Sequence, residues 1–127
     1  MPELVARLRA AGCVFAEDEA ELLRSATTEP DALEQLVLRR VAGEPLEYVV
    51  GWVDFDGHRV VIEPGVFIPR QRTIALVDVA ADHLASLTPD GTATVVDVCC
   101  GSGALGLALG RRHPDITLHA TDLDPVA

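Results

Sequence analysis

The chain has 127 residues, about half of them hydrophobic, with ten basic against twenty acidic residues and a net charge of -10. That length falls within the range of one domain with material for a core. The acidic balance argues against a phosphate backbone held on a broad basic surface, so no direct nucleic-acid binding is expected. No apolar run approaches the ~18 residues needed to cross a bilayer, and no basic region followed by an apolar core opens the chain as a secretory signal would. Neither a membrane span nor a secretory leader is therefore expected. Three cysteines, two of them adjacent, lack CxxC spacing and suit a reduced cytoplasm better than a disulfide framework. His58, His83, His113 and His119 form no ligand pattern with them, so no metal site is expected.

Leu4, Val5 and Leu8 followed by Gly12 predict a short helix with a glycine stop. Phe15 to Ala26 repeats the pattern, with Glu17, Asp18 and Glu19 in the first turn, where carboxylates favour the helix dipole. Thr28-Glu29-Pro30-Asp31 reads as a helix start, with Thr28 as the candidate cap and Pro30 tolerated in the first turn. The third helix carries Leu33, Leu36, Val37, Arg39, Arg40 and Val41 and stops at Gly43. Apolar spacings of three and four give one buried face, so residues 1–43 are expected to form a small helical domain. It serves as a structural cap or in substrate recognition.

Residues 44–70 read as a linker that contains a β-hairpin. Glu44-Pro45 opens it, and Tyr48 to Val53 is strand-like. Trp52 to Phe55, an Asp56-Gly57 turn and His58 to Ile62 predict the hairpin, closed by Pro64-Gly65. Val66-Phe67-Ile68-Pro69-Arg70 follows as an apolar stretch kept out of helix because Pro69 restricts Ile68. Helix resumes with Ile74, Val77, Ala81, Leu84 and Leu87 along one face, and Pro89-Asp90-Gly91 turns the chain into a strand.

That strand begins the most informative stretch, Val95-Val96-Asp97-Val98-Cys99-Cys100-Gly101-Ser102-Gly103-Ala104-Leu105-Gly106. A β-branched apolar run breaks into a small-residue turn, then an apolar helical pattern over Ala104 to Leu109. Glycines in such a turn let the backbone approach a ligand and let helix pack on strand. Sixteen residues past Gly106, the apolar stretch Ile116 to Thr121 ends in Asp122, where an α/β nucleotide site holds the carboxylate for its ribose hydroxyls. Gly101-x-Gly103-x-x-Gly106 alone also satisfies a dinucleotide fingerprint. Asp97 discriminates: a carboxylate at the strand's end repels a pyrophosphate but suits the cationic amino group of S-adenosylmethionine. A phosphate-binding P-loop would need Gly-Lys-Ser/Thr, and no lysine lies nearby. Asp97 as a turn cap, Asp122 as an ordinary turn acid beside Asp124, Arg70 as a solvated base, and Cys99 and Cys100 as small packing residues are the plainer readings of the same positions.

Gly43-Glu44-Pro45-Leu46-x-Tyr48-x-x-Gly51, Phe55-x-Gly57, Pro64-Gly65-Val66-Phe67-Ile68-Pro69-Arg70 and Asp97-x-x-x-Gly101-Ser102-Gly103 stand in an order and spacing that resembles the HemK/PrmC family of glutamine N-methyltransferases. The resemblance covers about Gly43 to Ala127. It implies an α/β class I Rossmann-like methyltransferase fold, of which residues 71–127 are the start, using S-adenosylmethionine. It also implies methyl transfer to the side-chain amide of a glutamine in a peptide-chain release factor. By position, Asp97, Cys99, Gly101, Ser102, Gly103, Asp122 and Leu123 would bind the cofactor, while Ile68, Pro69 and Arg70 would stand beside it on the substrate side. Alternatives are a ribosomal-protein glutamine methyltransferase and a dinucleotide-binding oxidoreductase.

Three departures accompany the resemblance. Cys99 stands where the family more often has the first loop glycine, a replacement expected to fit if its φ stays negative. Arg72 and Ile74 replace acidic residues that commonly follow Pro-Arg. The Asn-Pro-Pro-Tyr motif that grips the target amide does not occur, so the chain holds no catalytic residue of the family and is expected to be inactive alone. A lone strand-helix-strand piece also predicts unpaired sheet edges, hence the N-terminal part of a longer enzyme, or self-association if the chain is autonomous.

Overall fold

The computed structural model describes residues 2–87 and 92–127, so the turn expected at Pro89-Asp90-Gly91 lies outside the described residues. The chain divides into two compact units, Met1–Gly51 and Trp52–Ala127.

The first unit is built from α1 (Pro2–Ala10), α2 (Ala16–Ala26), α3 (Pro30–Val41) and α4 (Leu46–Val50). Leu4 and Leu8 of α1, Ala16, Ala20 and Leu23 of α2, Val37 of α3 and Val49 of α4 form its buried cluster together with Cys13. Two expectations are corrected here. Tyr48 to Val50 are helical, not strand, because Val49 turns into the helical core and Gly51, at φ 85, caps the turn before a strand begins at Trp52. The compact unit runs to Gly51 and so includes α4 along with residues 1–43. Thr28 does not cap α3: Glu29 is the N-cap, without a side-chain bond, and Pro30 opens the helix, since its missing N–H needs no partner there.

Ion pairs tie these helices together. Arg40 of α3 donates through Nε to Glu19 of α2 at 2.7 Å, with both side chains mostly covered, and Arg7 donates to Glu34 through Nη1 and Nη2. Arg39 binds Glu44 and the Tyr48 carbonyl oxygen, fastening α4 to α3. The Arg40 hydrogen bond is the main reason the Glu19 carboxyl is held below the ordinary glutamate range. A depressed folded-state pKa adds stability that is present above the unfolded value of ~4.3 and is lost as pH falls through the folded one. Unfolding in urea should therefore show little pH dependence near neutrality and a falling midpoint below about pH 4.5. Glu19→Gln should lower the neutral-pH midpoint and flatten the acid limb. An acid limb of unchanged slope in that variant would remove Glu19 from the account.

The second unit begins with the antiparallel hairpin β1 (Trp52–Phe55) and β2 (His58–Val61), paired Trp52 with Val61 through Phe55 with His58. Its two-residue turn is the expected Asp56-Gly57, with φ 53 and 74, both positive as a type I′ turn requires. Phe55, Val60, Ile62 and Val66 are buried. A one-turn 3-10 helix (Gln71–Thr73) leads into α5 (Ile74–Leu87), followed by β3 (Thr94–Val98), α6 (Ala104–Arg112) and β4 (Thr117–Thr121). The strands β3 and β4 pair in parallel, Thr94 with Thr117 through Val98 with Thr121. This is a parallel strand-helix-strand unit, with α6 as the crossover. α6 packs on both strands and on α5, burying Ala104, Ala108 and Leu109. The opposite side of β3 is open, with Val98 69% exposed. Arg112, at the end of α6, reaches Asp56 at the hairpin turn through Nε and Nη2 and Asp78 of α5 through Nη1. One guanidinium thus joins three elements of this unit.

Candidate cofactor-binding site

Parallel strands present ligands at their carboxyl ends, and here β3 and β4 end side by side. The ladder runs one step further, with Cys100 N–H donating to the Thr121 carbonyl oxygen at 3.0 Å. Asp122 then faces the loop, and its Oδ2 accepts the Gly101 N–H at 2.8 Å while its Oδ1 accepts the Asp124 N–H at 2.8 Å. These two bonds, that from Asp124 first, hold the carboxyl below the usual aspartate range, so it is ionised at neutral pH. Each oxygen accepts one N–H and retains a lone pair for a hydroxyl group.

The loop itself turns on three residues with positive φ: Cys99 at 58, Gly101 at 52 and Gly103 at 75. Gly103 donates to the Cys100 carbonyl oxygen at 2.8 Å and serves as the N-cap of α6. Cys99 corrects the expectation of negative φ. The turn needs the left-handed region at this position, which is why a glycine is the easier occupant. Cys99 is also exposed, so it is not the packing residue expected from its size. Relieving left-handed strain, offset by glycine's greater freedom when unfolded, predicts that Cys99→Gly stabilises by ~0.5 kcal/mol while Cys99→Val destabilises by more than ~1 kcal/mol. Chemical denaturation of the two variants checks this, and the reverse order would contradict a left-handed backbone here. Cys100 is half-buried, and burial, followed by the negative charges of Asp97 and Asp122, pushes its thiol up, leaving it protonated at neutral pH.

Cys99, Cys100, Gly101, Ser102 and Asp122 line one cavity of about 240 Å³ with Phe67, Pro69, Arg70 and Thr73. The fold thus brings together residues from the loop, the end of β4 and the segment before α5, more than fifty positions apart from Phe67 to Asp122. Pro69 is buried and holds the segment, while Arg70 is exposed with its guanidinium carbon 5.9 Å from the Phe67 ring centroid. Gln71 Nε2 donates to the Asp54 carbonyl oxygen, which fastens this segment to β1.

Four expected site residues stand apart from that cavity lining. Gly103 stands behind the loop as the α6 cap. Ile68 is half-buried and Leu123 is 100% exposed; neither lines the cavity. Asp97 points to α6: its Oδ2 accepts the Gly106 N–H at 2.9 Å, satisfying a first-turn donor that the helix itself leaves free. It borders a second, apolar groove of about 250 Å³ with Leu76, Val77, Val95 and Val98. Phe67, Thr73, Cys100, Ala104 and Leu105 also line the cavity and were not expected site residues. Phe67 lay inside the quoted motif, but exposure of an aromatic ring is not encoded by its neighbours.

Among the described residues, no group of three or more His, Cys, Asp or Glu could hold a metal ion, and no helix is long and apolar enough to cross a membrane. Residues 57–127 match the methyltransferase small domain family. The chain belongs to that family, an α/β methyltransferase class. Within it, the chain is 37% identical over its whole length to a release factor glutamine methyltransferase of Bordetella pertussis, covering 47% of that protein. It is 36% identical over 96% of its length to a protein of the same name in Mycolicibacterium smegmatis, covering 48% of it. A 4-amino-L-phenylalanine/4-methylamino-L-phenylalanine methyltransferase of Streptomyces pristinaespiralis is 37% identical over 72% of the chain, which covers 32% of that protein. The chain therefore spans less than half the length of these relatives.

Proposed function

We propose that this chain is the cofactor-binding part of an S-adenosylmethionine-dependent methyltransferase acting in the cytoplasm on the side-chain amide of a glutamine, with a peptide-chain release factor as its protein substrate. The observation that carries the reading is one cavity at the carboxyl ends of two parallel strands, lined by the Cys99–Ser102 loop, by Asp122 and by Pro69 and Arg70. An ionised Asp122 with free lone pairs suits two ribose hydroxyls. Loop backbone in the left-handed region, bare of Cβ at Gly101, suits close approach of a ligand. At about 240 Å³ the cavity is smaller than the ~300–1,000 Å³ usual for a ligand of this size, so these walls would enclose part of the cofactor.

Bound S-adenosylmethionine supplies a methyl group already activated by its sulfonium. The protein's task is then to orient a poor nucleophile, because an amide nitrogen's lone pair is delocalised into its carbonyl. On this reading Asp122, Gly101 and Ser102 bind the cofactor, Asp97 fixes the start of α6 behind the loop, and Phe67, Pro69 and Arg70 wall the acceptor side. The residues that grip the amide, Asn-Pro-Pro-Tyr in the family resembled, are not in this sequence. The chain by itself is therefore expected to give no methylglutamine when incubated with a release factor and S-adenosylmethionine. Detection of the methylated residue by mass spectrometry would overturn this division of labour.

Relatives named for a glutamine in a protein and for a free amino acid share similar identity with this stretch. This supports assigning cofactor binding, not acceptor choice, to most of it. Calorimetric titration with S-adenosylhomocysteine and with NAD tests the cofactor. Saturable binding of the first without the second is expected, and the reverse would return the site to the dinucleotide reading.

A further inference from the structure

Adjacent residues of an extended strand point to opposite sides. Cys99 and Cys100 instead line the same cavity, because β3 ends at Val98 and the left-handed turn at Cys99, with φ 58, breaks the alternation. Two neighbouring thiols therefore stand in one wall, beside Gly101, Ser102 and Asp122. They differ in access. Cys99 is exposed and Cys100 half-buried, while the third cysteine, Cys13, is buried in the helical unit. Cys100 also carries the loop. Its N–H donates to the Thr121 carbonyl oxygen at 3.0 Å, and its carbonyl oxygen accepts the Gly103 N–H at 2.8 Å. Its thiol donates to the Gly101 carbonyl oxygen at 3.7 Å, and the Gly101 N–H in turn reaches Asp122 Oδ2 at 2.8 Å. Any rotation of the Cys99–Cys100 backbone is thus passed to the bond that joins the loop to Asp122.

We infer that Cys99 and Cys100 form a redox switch, in which oxidation by a low-molecular-weight disulfide joins them and closes the cavity to the cofactor. The inference rests on the cofactor reading of the cavity. Cys99, the exposed thiol, attacks one sulfur of the small disulfide as its thiolate, so that a mixed disulfide forms and one small thiolate leaves. Cys100 then attacks the Cys99 sulfur and expels the second small thiolate. Each leaving thiolate takes up the proton that a cysteine has lost. Two protein thiols are oxidised, and one small disulfide is reduced to two thiols. Consecutive Cα atoms are ~3.8 Å apart across a trans peptide, against the ~4.4–6.8 Å usual between disulfide-linked residues. Closing the ring therefore twists the Cys99–Cys100 backbone out of the geometry that the loop's hydrogen bonds require. The same strain makes the bond easy to reduce, so the cavity reopens when reducing conditions return.

The test equilibrates the chain with glutathione disulfide and reads its intact mass, its peptide map and its hydrogen exchange. The expected product has lost two hydrogen atoms, carries no glutathione, links Cys99 to Cys100 and leaves Cys13 free for alkylation after unfolding. Its affinity for S-adenosylhomocysteine should fall at least ~10-fold and return with dithiothreitol. Exchange at the Cys100, Gly101 and Gly103 amides should quicken as their bonds are lost. Cys100→Ser should stop at a glutathione adduct on Cys99, and Cys99→Ser should stay unmodified. A lasting adduct on wild-type Cys99, a dimer linked through it, no reaction, or an oxidised chain that keeps its affinity would overturn the proposal. A reduced chain that binds no S-adenosylhomocysteine would instead overturn the cofactor reading. Ring closure with faster exchange at the three amides would then leave the thiol pair standing as a switch of the loop, and unchanged exchange would overturn that too.

Discussion

On the proposed cofactor reading, replacing Asp122 with alanine is expected to lower affinity for S-adenosylhomocysteine about 100-fold, the equivalent of ~2.7 kcal/mol, because two charge-assisted hydrogen bonds to the ribose would be lost together. The size follows from what the carboxylate does in the protein alone. Its two oxygens already hold the Gly101 and Asp124 N–H groups, so it is fixed in place before any ligand arrives. Alanine also frees the Gly101 N–H, which loosens the loop. Asp122→Asn separates the two effects, since one amide oxygen still accepts an N–H while the other position becomes a donor. Its loss should be intermediate. Adenine, which has no ribose, should bind the wild type and both variants alike. An equal loss for adenine would mean that Asp122 shapes the cavity and does not hold a ribose.

Gly106→Ala is expected to destabilise the second unit by ~1–3 kcal/mol, although alanine in a helix interior ordinarily gains about 1 kcal/mol over glycine. Gly106 lies in α6 against the sheet, and a Cβ there would stand 3.0 Å from Asp97 Oδ2, 3.3 Å from Asp97 Cβ and 3.3 Å from Leu118 Cδ1. The first atom is held by its own bond to the Gly106 N–H, and Asp97 Cβ is fixed to the β3 backbone. Relief therefore requires α6 to move off the strands, which separates Ala104 and Ala108 from their packing. Thermal or urea unfolding reads the sign directly. A higher midpoint for Gly106→Ala would show that helix propensity outweighs the contact and that the helix-to-strand approach has slack. Because the same displacement breaks the Asp97 bond and shifts the loop behind it, cofactor affinity should fall with stability.

The two replacements probe opposite sides of the same loop. Asp122 fastens it from the end of β4, and Gly106 lets α6 come close enough for Asp97 to fasten it from β3. Loop geometry is thus set by two carboxylates, each accepting backbone N–H groups, which is why a left-handed Cys99 is sustained where a glycine would be easier.

Local patterns determined much of this protein. The Asp56-Gly57 pair specified its turn because both residues accept positive φ, and the strand-like runs on either side of it marked the hairpin. Spacings of three and four marked α5 and the helical unit, and β-branched runs ahead of small residues marked β3 and the glycine loop. Each of these depends on neighbours within a turn or two of chain. The tertiary structure decided what depended on distant partners. Tyr48 to Val50 carry β-forming residues, yet they are helical because Val49 has a place in a core made by three other helices. Cys99 is left-handed because the loop must bring Gly101 within reach of Asp122, twenty-one positions away. Asp97 turned to the α6 backbone and Phe67 to the cavity for the same reason: side-chain direction is settled by what is packed opposite. The sequence by itself determined the elements and the residue types at the strand ends. Only the tertiary structure decided which of them share a wall, because contacts between residues far apart in sequence form only when the whole unit packs.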